Sequence, residues 1–142
     1  MYLNLLKVFN CLTERINDKF DFIYAISILH MLVLDKDRNL FYQFIYEQLK
    51  ENGIALILHN WKMVMRNGVQ IYQRHFELQK RTHEVTGEEV HIAGTSCRVV
   101  SFDTLSREID NNNLMLLDSG LTSIEPDFPT IMFVVIKRNS TK

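Results

Sequence analysis

Apolar residues form two kinds of run along this chain, and the first kind is continuous. Phe20-Asp21-Phe22-Ile23-Tyr24-Ala25-Ile26-Ser27-Ile28 is nearly unbroken and rich in aromatic and β-branched residues. Such a run suits a strand covered on both faces, as in a parallel sheet. Ile54-Ala55-Leu56-Ile57-Leu58 is a second run of the same kind. Between them, Leu40, Phe41, Phe44, Ile45 and Leu49 recur at helical spacing, which predicts an amphipathic helix with one stripe on a core. Asp35-Lys36-Asp37 ahead of the stripe offers capping side chains and negative charge for a helix N-terminus. Asn52-Gly53 behind it predicts a helix stop in the left-handed conformation that glycine adopts freely. The stretch reads as one βαβ unit, whose strands should lie parallel with a right-handed crossover.

The second kind of run alternates. Tyr72, Phe76 and Leu78 interleave with Gln73, His75, Glu77 and Gln79, the pattern of a half-buried strand. Thr86-Gly87 predicts a hairpin tip, and Val90, Ile92, Val99 and Val100 supply the return, with Gly94 as a bulge. Residues 69–101 therefore read as an antiparallel arm inserted into a single domain spanning 1–142. Ser101 is a good N-cap for a helix from Phe102-Asp103, with Leu105 and Ile109 on its inner face. Asn111-Asn112-Asn113 interrupts or ends it; Leu114 to Ser119 is expected to resume it, and Gly120 to close it. Leu121 to Glu125 then reads as a short strand, Pro126 to Pro129 as a turn, and Thr130 to Lys137 as a long strand antiparallel to the first. Ahead of the βαβ unit, Tyr2 to Phe9 fits a short strand or a helix end, and Asn10 to Lys19 a loop with one helical turn at Thr13-Glu14-Arg15.

Composition narrows the function classes. The formal net charge is −1, with Lys and Arg scattered, so there is no electrostatic reason to expect nucleic acid or an anionic membrane as partner. Two cysteines far apart, Cys11 and Cys97, do not make a disulfide framework, and a reducing cytoplasm is the simpler setting. No stretch approaches the roughly 20 apolar residues of a membrane span. The first ten residues lack the features of a signal peptide.

Phe20 to Ala25, then Ser27-Ile28-Leu29-His30, then Leu49-Lys50-Glu51-Asn52-Gly53-Ile54-Ala55-Leu56-Ile57 resemble class I S-adenosylmethionine-dependent methyltransferases. The matching parts are that family's fourth strand, the loop after it, and the L-K-x-x-G turn into the fifth strand. The closing pair of strands is similar to the family's terminal hairpin. The resemblance implies an α/β, partial Rossmann-like fold: parallel strands, a C-terminal antiparallel hairpin and the added arm. It covers the second half of the family's fold. The glycine-rich turn of the family's first strand has no counterpart, since no two of Gly53, Gly68, Gly87, Gly94 and Gly120 lie close enough to make one. Relative to the family the chain is truncated. The Phe22 to Ile28 strand should then expose an apolar edge, to be covered by Met1 to Asn10, by a second copy in a homodimer, or by a separate protein partner.

By the same resemblance, the cofactor is S-adenosylmethionine and the substrate a small-molecule acceptor. Asn10-Cys11 lies about where the family contacts adenine; an ordinary loop is the alternative. Ala25, Ile26 and Ser27 lie where backbone meets the methionine part of the cofactor; as structure alone, Ile26 and Ile28 are core. His59, Asn60 and Trp61 follow the second strand, on the edge where ligands bind in open α/β sheets. Asn60 and Trp61 could wall a substrate pocket. Methyl transfer needs alignment and a proton acceptor, for which His30 or His59 is the candidate. His75, His83 and His91 lack metal-ligand spacing, so no metal is expected. The other class of function is a non-catalytic interaction or regulatory subunit that associates through the open edge.

Overall fold

The computed structural model describes residues 10–60, 70–72, 79–82, 86–92, 97–124 and 128–139. A four-stranded sheet is built from β1 (Phe20–Ile26), β2 (Leu49–Asn60), β7 (Leu114–Ile124) and β8 (Phe128–Arg138), in the order β1-β2-β8-β7. β1 and β2 are parallel, with Tyr24 opposite Leu56. β8 is antiparallel to both β2 and β7. The βαβ unit and the terminal hairpin thus stand as expected. The arm also forms as antiparallel pairs, β3 (Gln70–Tyr72) with β6 (Cys97–Val99) and β4 (Gln79–Thr82) with β5 (Glu89–Ile92). Gly87, at φ 70, lies between β4 and β5 and takes the left-handed turn that glycine permits. Met1 to Phe9, Trp61, His75, Phe76, Leu78, His83 and Gly94 lie outside the described residues.

Helix α1 (Asp35–Gln48) buries Phe41, Phe44 and Ile45 as its stripe requires, and Arg38 and Tyr42 beside them. Helix α2 (Phe102–Asn111) starts where Ser101 Oγ accepts a hydrogen bond from Thr104 N at 3.2 Å, and it buries Leu105 and Ile109. Both helices share one core cluster with Ala25, Ala55, Ile57, Met132, Val134 and Ile136. Strand alternation puts these residues on one face of the sheet. The opposite face carries Phe22, Tyr24 and Ile26 beside Ile54, Leu56 and Leu58 in register. Phe22, Tyr24, Ile26 and Ile54 are exposed there.

Several expectations need correction. β1 is covered on one face among the described residues, not on both, because α1 and α2 join the same side. Ile26 and Ile28 are exposed and do not belong to the core. Asp35-Lys36-Asp37 does not cap α1; Leu34 is the N-cap and no side chain bonds there. The Asp35 carboxylate is turned to Arg98 instead. Asn52-Gly53 does not stop the helix: Leu49 ends it in extended backbone, φ −74 and ψ 139. The register of β1 on β2 then shifts between Phe20, opposite Leu49, and Phe22, opposite Ile54. Gly53 passes so close there that an added Cβ would lie 2.8 Å from Phe20 O. Glycine is needed for a close approach, not for a positive φ.

Leu114 to Ser119 is strand, not resumed helix. Asn113, at φ 57, turns the chain out of α2, and β7 then pairs with β8 from Leu114 onward. Gly120 lies within β7, where an added Cβ would meet Phe133 Cε1 at 2.9 Å.

Candidate functional site

The C-terminal ends of the two parallel strands bring the chemistry-bearing residues together. β1 ends at Ile26, and the chain turns away at Ser27, whose φ of 56 is left-handed without being glycine. That conformation costs on the order of 1–3 kcal/mol and persists where the surroundings enforce it. Here Ser27 N donates to Leu58 O at 2.9 Å, which ties the turn to β2. A single 3-10 turn, Leu29–Met31, follows, with Leu29 fully buried beneath it. Met31 N donates to Ile28 O and Leu32 N to Leu29 O.

His30 sits on that turn, and its ring lies 5.5 Å from the His59 ring between centroids, tilted by 54°. His59 is 1% exposed, on the helix-covered face of β2. His30 is half-buried. Burial lowers its pKa from the ordinary 6.5, because a charged imidazole loses hydration. It is therefore neutral at pH 7. Its Nδ1 is buried and has no hydrogen-bond partner among the described residues. A neutral imidazole is the form that a general base requires.

The loop is held from below by charges that local sequence patterns did not reveal. Arg38, 1% exposed, donates from Nη1 to Leu29 O at 2.8 Å and to Leu32 O at 3.3 Å. Its other nitrogens grip Glu108 of α2 at 2.9 and 2.6 Å. Arg98 of β6 donates to Val33 O at 3.1 Å, to Asp35, and to Glu108 at 3.4 Å. Tyr42 donates its hydroxyl to Glu108 at 3.1 Å. Burial first, and then the Glu108 charge, push the Tyr42 phenol well above its ordinary pKa. The Arg98 bond holds the Asp35 carboxyl below the usual range.

The remaining sequence candidates are dispersed. Asn10 is exposed, and its Oδ1 accepts from Leu12 N at 3.0 Å. Asn10 O accepts from Thr13 N and Glu14 N, so the turn spans residues 11–13 and not the Thr13-Glu14-Arg15 that the sequence suggests. Cys11 is half-buried, and burial raises its thiol pKa, which leaves it a poor nucleophile. It lines a groove of about 640 Å³ along β1 with Ile16, Phe22, Tyr24 and Ile28. Ala25 is buried toward α1, and Ile26 is exposed on the other face. Asn60 pairs its backbone with Ile131.

These positions fit S-adenosylmethionine in part. The Ser27 turn and the half-buried His30 ring stand at the strand ends. A glycine-bearing turn that would let backbone close over a cofactor is not there: of the described glycines, Gly53 lies where β1 begins, Gly87 at the arm tip and Gly120 in β7. The described residues thus bring the Ser27 turn and the His30 and His59 rings together at the ends of the parallel strands.

No family model matches the chain, and no curated protein is similar to it in sequence. Solved structures share its fold. A S-adenosylmethionine-dependent methyltransferase from Clostridium acetobutylicum matches with TM-score 0.63 at 16% identity, over 94% of this chain and 64% of that one. The glycopeptide N-methyltransferase MtfA, complexed with S-adenosyl-L-homocysteine, matches with TM-score 0.57 at 14% identity, over 91% and 59%. The 1,6-didemethyltoxoflavin-N1-methyltransferase of Burkholderia thailandensis matches with TM-score 0.60 at 11% identity, over 92% and 48%. The chain spans less than two thirds of each of those proteins. Its fold is that of the class I S-adenosylmethionine-dependent methyltransferases.

Proposed function

We propose that this chain carries one side of an S-adenosylmethionine site and belongs to a methyltransferase acting on a small-molecule acceptor in a reducing cytoplasm. The carrying observation is the convergence of the Ser27 turn, His30 and His59 at the C-terminal ends of two parallel strands, where open α/β sheets bind their ligands. His30 is the better base of the two histidines, being half-buried on a loop where a substrate can reach it. His59, buried in β2, packs against it. Asn60 and Trp61 follow His59 in sequence and are assigned to the acceptor side. Asn10 and Cys11 are assigned to the adenine side, with Asn10 Oδ1 already sharing its lone pairs with Leu12 N.

Isothermal calorimetry with S-adenosylmethionine and S-adenosylhomocysteine tests the proposal. Saturable binding with a sub-millimolar Kd supports it. No heat at millimolar ligand contradicts it for this chain.

A second reading, an interaction module, is favoured by the face and edge of β1 that are open among the described residues. Phe22, Tyr24 and Ile26 are 50%, 66% and 50% exposed, and a free strand edge is a template for further pairing. The occupant we assign is a partner protein that extends the sheet beyond β1. Replacing Tyr24 with Lys should abolish any such association. Light scattering that shows a homodimer dispersed by that change would name a second copy as occupant. A monomer unaffected by it would remove the reading.

A further inference from the structure

The turn that carries His30 is too short to hold its own shape. It is a 3-10 helix of three residues, with no side-chain cap at Ile28. The next helix, α1, begins at Asp35, and its N-cap Leu34 also lacks a side-chain cap. A loop with so few internal bonds is normally mobile. Here three of its carbonyl oxygens, those of Leu29, Leu32 and Val33, accept hydrogen bonds from guanidinium groups outside the loop. Leu29 O uses its second lone pair on Leu32 N.

The two arginines come from different parts of the fold. Arg38 lies on α1 and Arg98 on β6, at the base of the arm. They meet on one carboxylate, Glu108 of α2. Both arginines and the Tyr42 ring are buried. Burying two cations is costly unless each is bonded, and these are bonded to one another's partner and to the loop. The Arg98 end is the weaker: its Nε is buried without a partner among the described residues, its Glu108 contact is 3.4 Å, and its other carboxylate, Asp35, is exposed.

We propose that Arg38 and Arg98 are positioning residues for the His30 loop, anchored together on Glu108, so that the seating of the arm on α1 and α2 sets where the His30 imidazole stands. The base proposed above then depends on an element that is remote in sequence and lies at the far end of the Arg98 side chain. This extends the methyltransferase reading by giving the arm a share in the geometry of its site. The measurement below reads loop geometry and not turnover, so it can fail or succeed independently of cofactor binding.

The test is amide hydrogen exchange and histidine NMR on the whole chain, in wild type, Arg98→Met and Arg98→Lys. In Arg98→Met the Met31 and Leu32 amides should exchange at least about tenfold faster, and the His30 titration midpoint should rise toward 6.5 as its ring gains water. The Val134 and Ile136 amides in the sheet should keep their wild-type rates. Arg98→Lys keeps a donor for Val33 O and should recover part of both effects. If Arg98→Met does not fold, the double variant Arg38→Met with Glu108→Gln removes one charge of each sign and leaves Arg98 its bonds to Asp35 and Val33 O; the same loop-specific acceleration is expected. Wild-type loop exchange and an unmoved His30 in either folded variant would overturn the proposal. So would acceleration by one common factor across loop and sheet, which marks a merely structural role.

Discussion

On the face turned to the helices, Ala25, Ala55, Ile57, Val134 and Ile136 are all 4% exposed or less, whereas the opposite face leaves Phe22, Tyr24, Ile26 and Ile54 open. Both faces are apolar, so sequence alone would bury them equally. The difference lies in what packs on them: α1 and α2 close one side into a single core, and no described helix joins the other. A parallel pair of strands is ordinarily covered on both sides. Among the described residues the open face is therefore apolar surface that β1 and β2 leave unburied.

The sharpest way to break this comparison is to truncate one residue on each face. Ile57→Ala, in the covered core, should cost about 2–5 kcal/mol, read as a lower urea midpoint at unchanged slope. Ile26→Ala, on the open face, should stay within about 1 kcal/mol, since little area leaves water there. Equal losses would mean that the open face is covered in solution. Next come the two close-packed glycines. Gly53→Ala sets a Cβ against the Phe20 carbonyl, a backbone atom that moves only with β1, and should cost about 1–3 kcal/mol. Gly120→Ala meets a Phe133 ring edge, which can turn aside, so its loss should be smaller. The reverse order would place the rigid pairing in the hairpin and not between β1 and β2.

The third effect is a pH dependence confined to the site. His30 has its folded pKa below the unfolded 6.5, so the unfolded chain binds its proton first as pH falls. Stability from this group is complete above about pH 6.5 and is lost as pH drops through the folded value. His30→Asn should flatten that part of a stability profile; an unchanged profile assigns the proton elsewhere. The smallest effect belongs to the surface. Asp21, 82% exposed, pairs with Lys50 at 2.7 Å where β1 begins, and Asp21→Asn should change stability by no more than about 0.5 kcal/mol, shrinking with added salt.

The contrast between faces also explains what the sequence could show. The βαβ unit was legible because Phe20–Ile26 and Leu56 lie in continuous apolar runs and Phe41, Phe44 and Ile45 keep helical spacing. Leu114 to Ser119 was misread because a short apolar run fits either period; β8, beside it, decides the matter through pairing that no local pattern records. The fate of Gly53 depended on how close Phe20 comes, which is a tertiary fact. His30 and His59 were legible as residues just past the two apolar runs, whereas the 5.5 Å approach of their rings is a tertiary fact. Arg38, Arg98 and Glu108 were not, since their bonds join distant segments. One signal was available: Arg38 falls on the inner stripe of α1, three residues before Phe41 and four before Tyr42, where a charge needs a buried partner.

The account rests on ligand recognition at the ends of β1 and β2. NMR-monitored titration with S-adenosylhomocysteine tests that most directly. Shifts concentrated at Ser27, His30 and His59, saturating below millimolar ligand, are the predicted result. Spectra unchanged at millimolar ligand, or shifts confined to residues away from those strand ends, would contradict it.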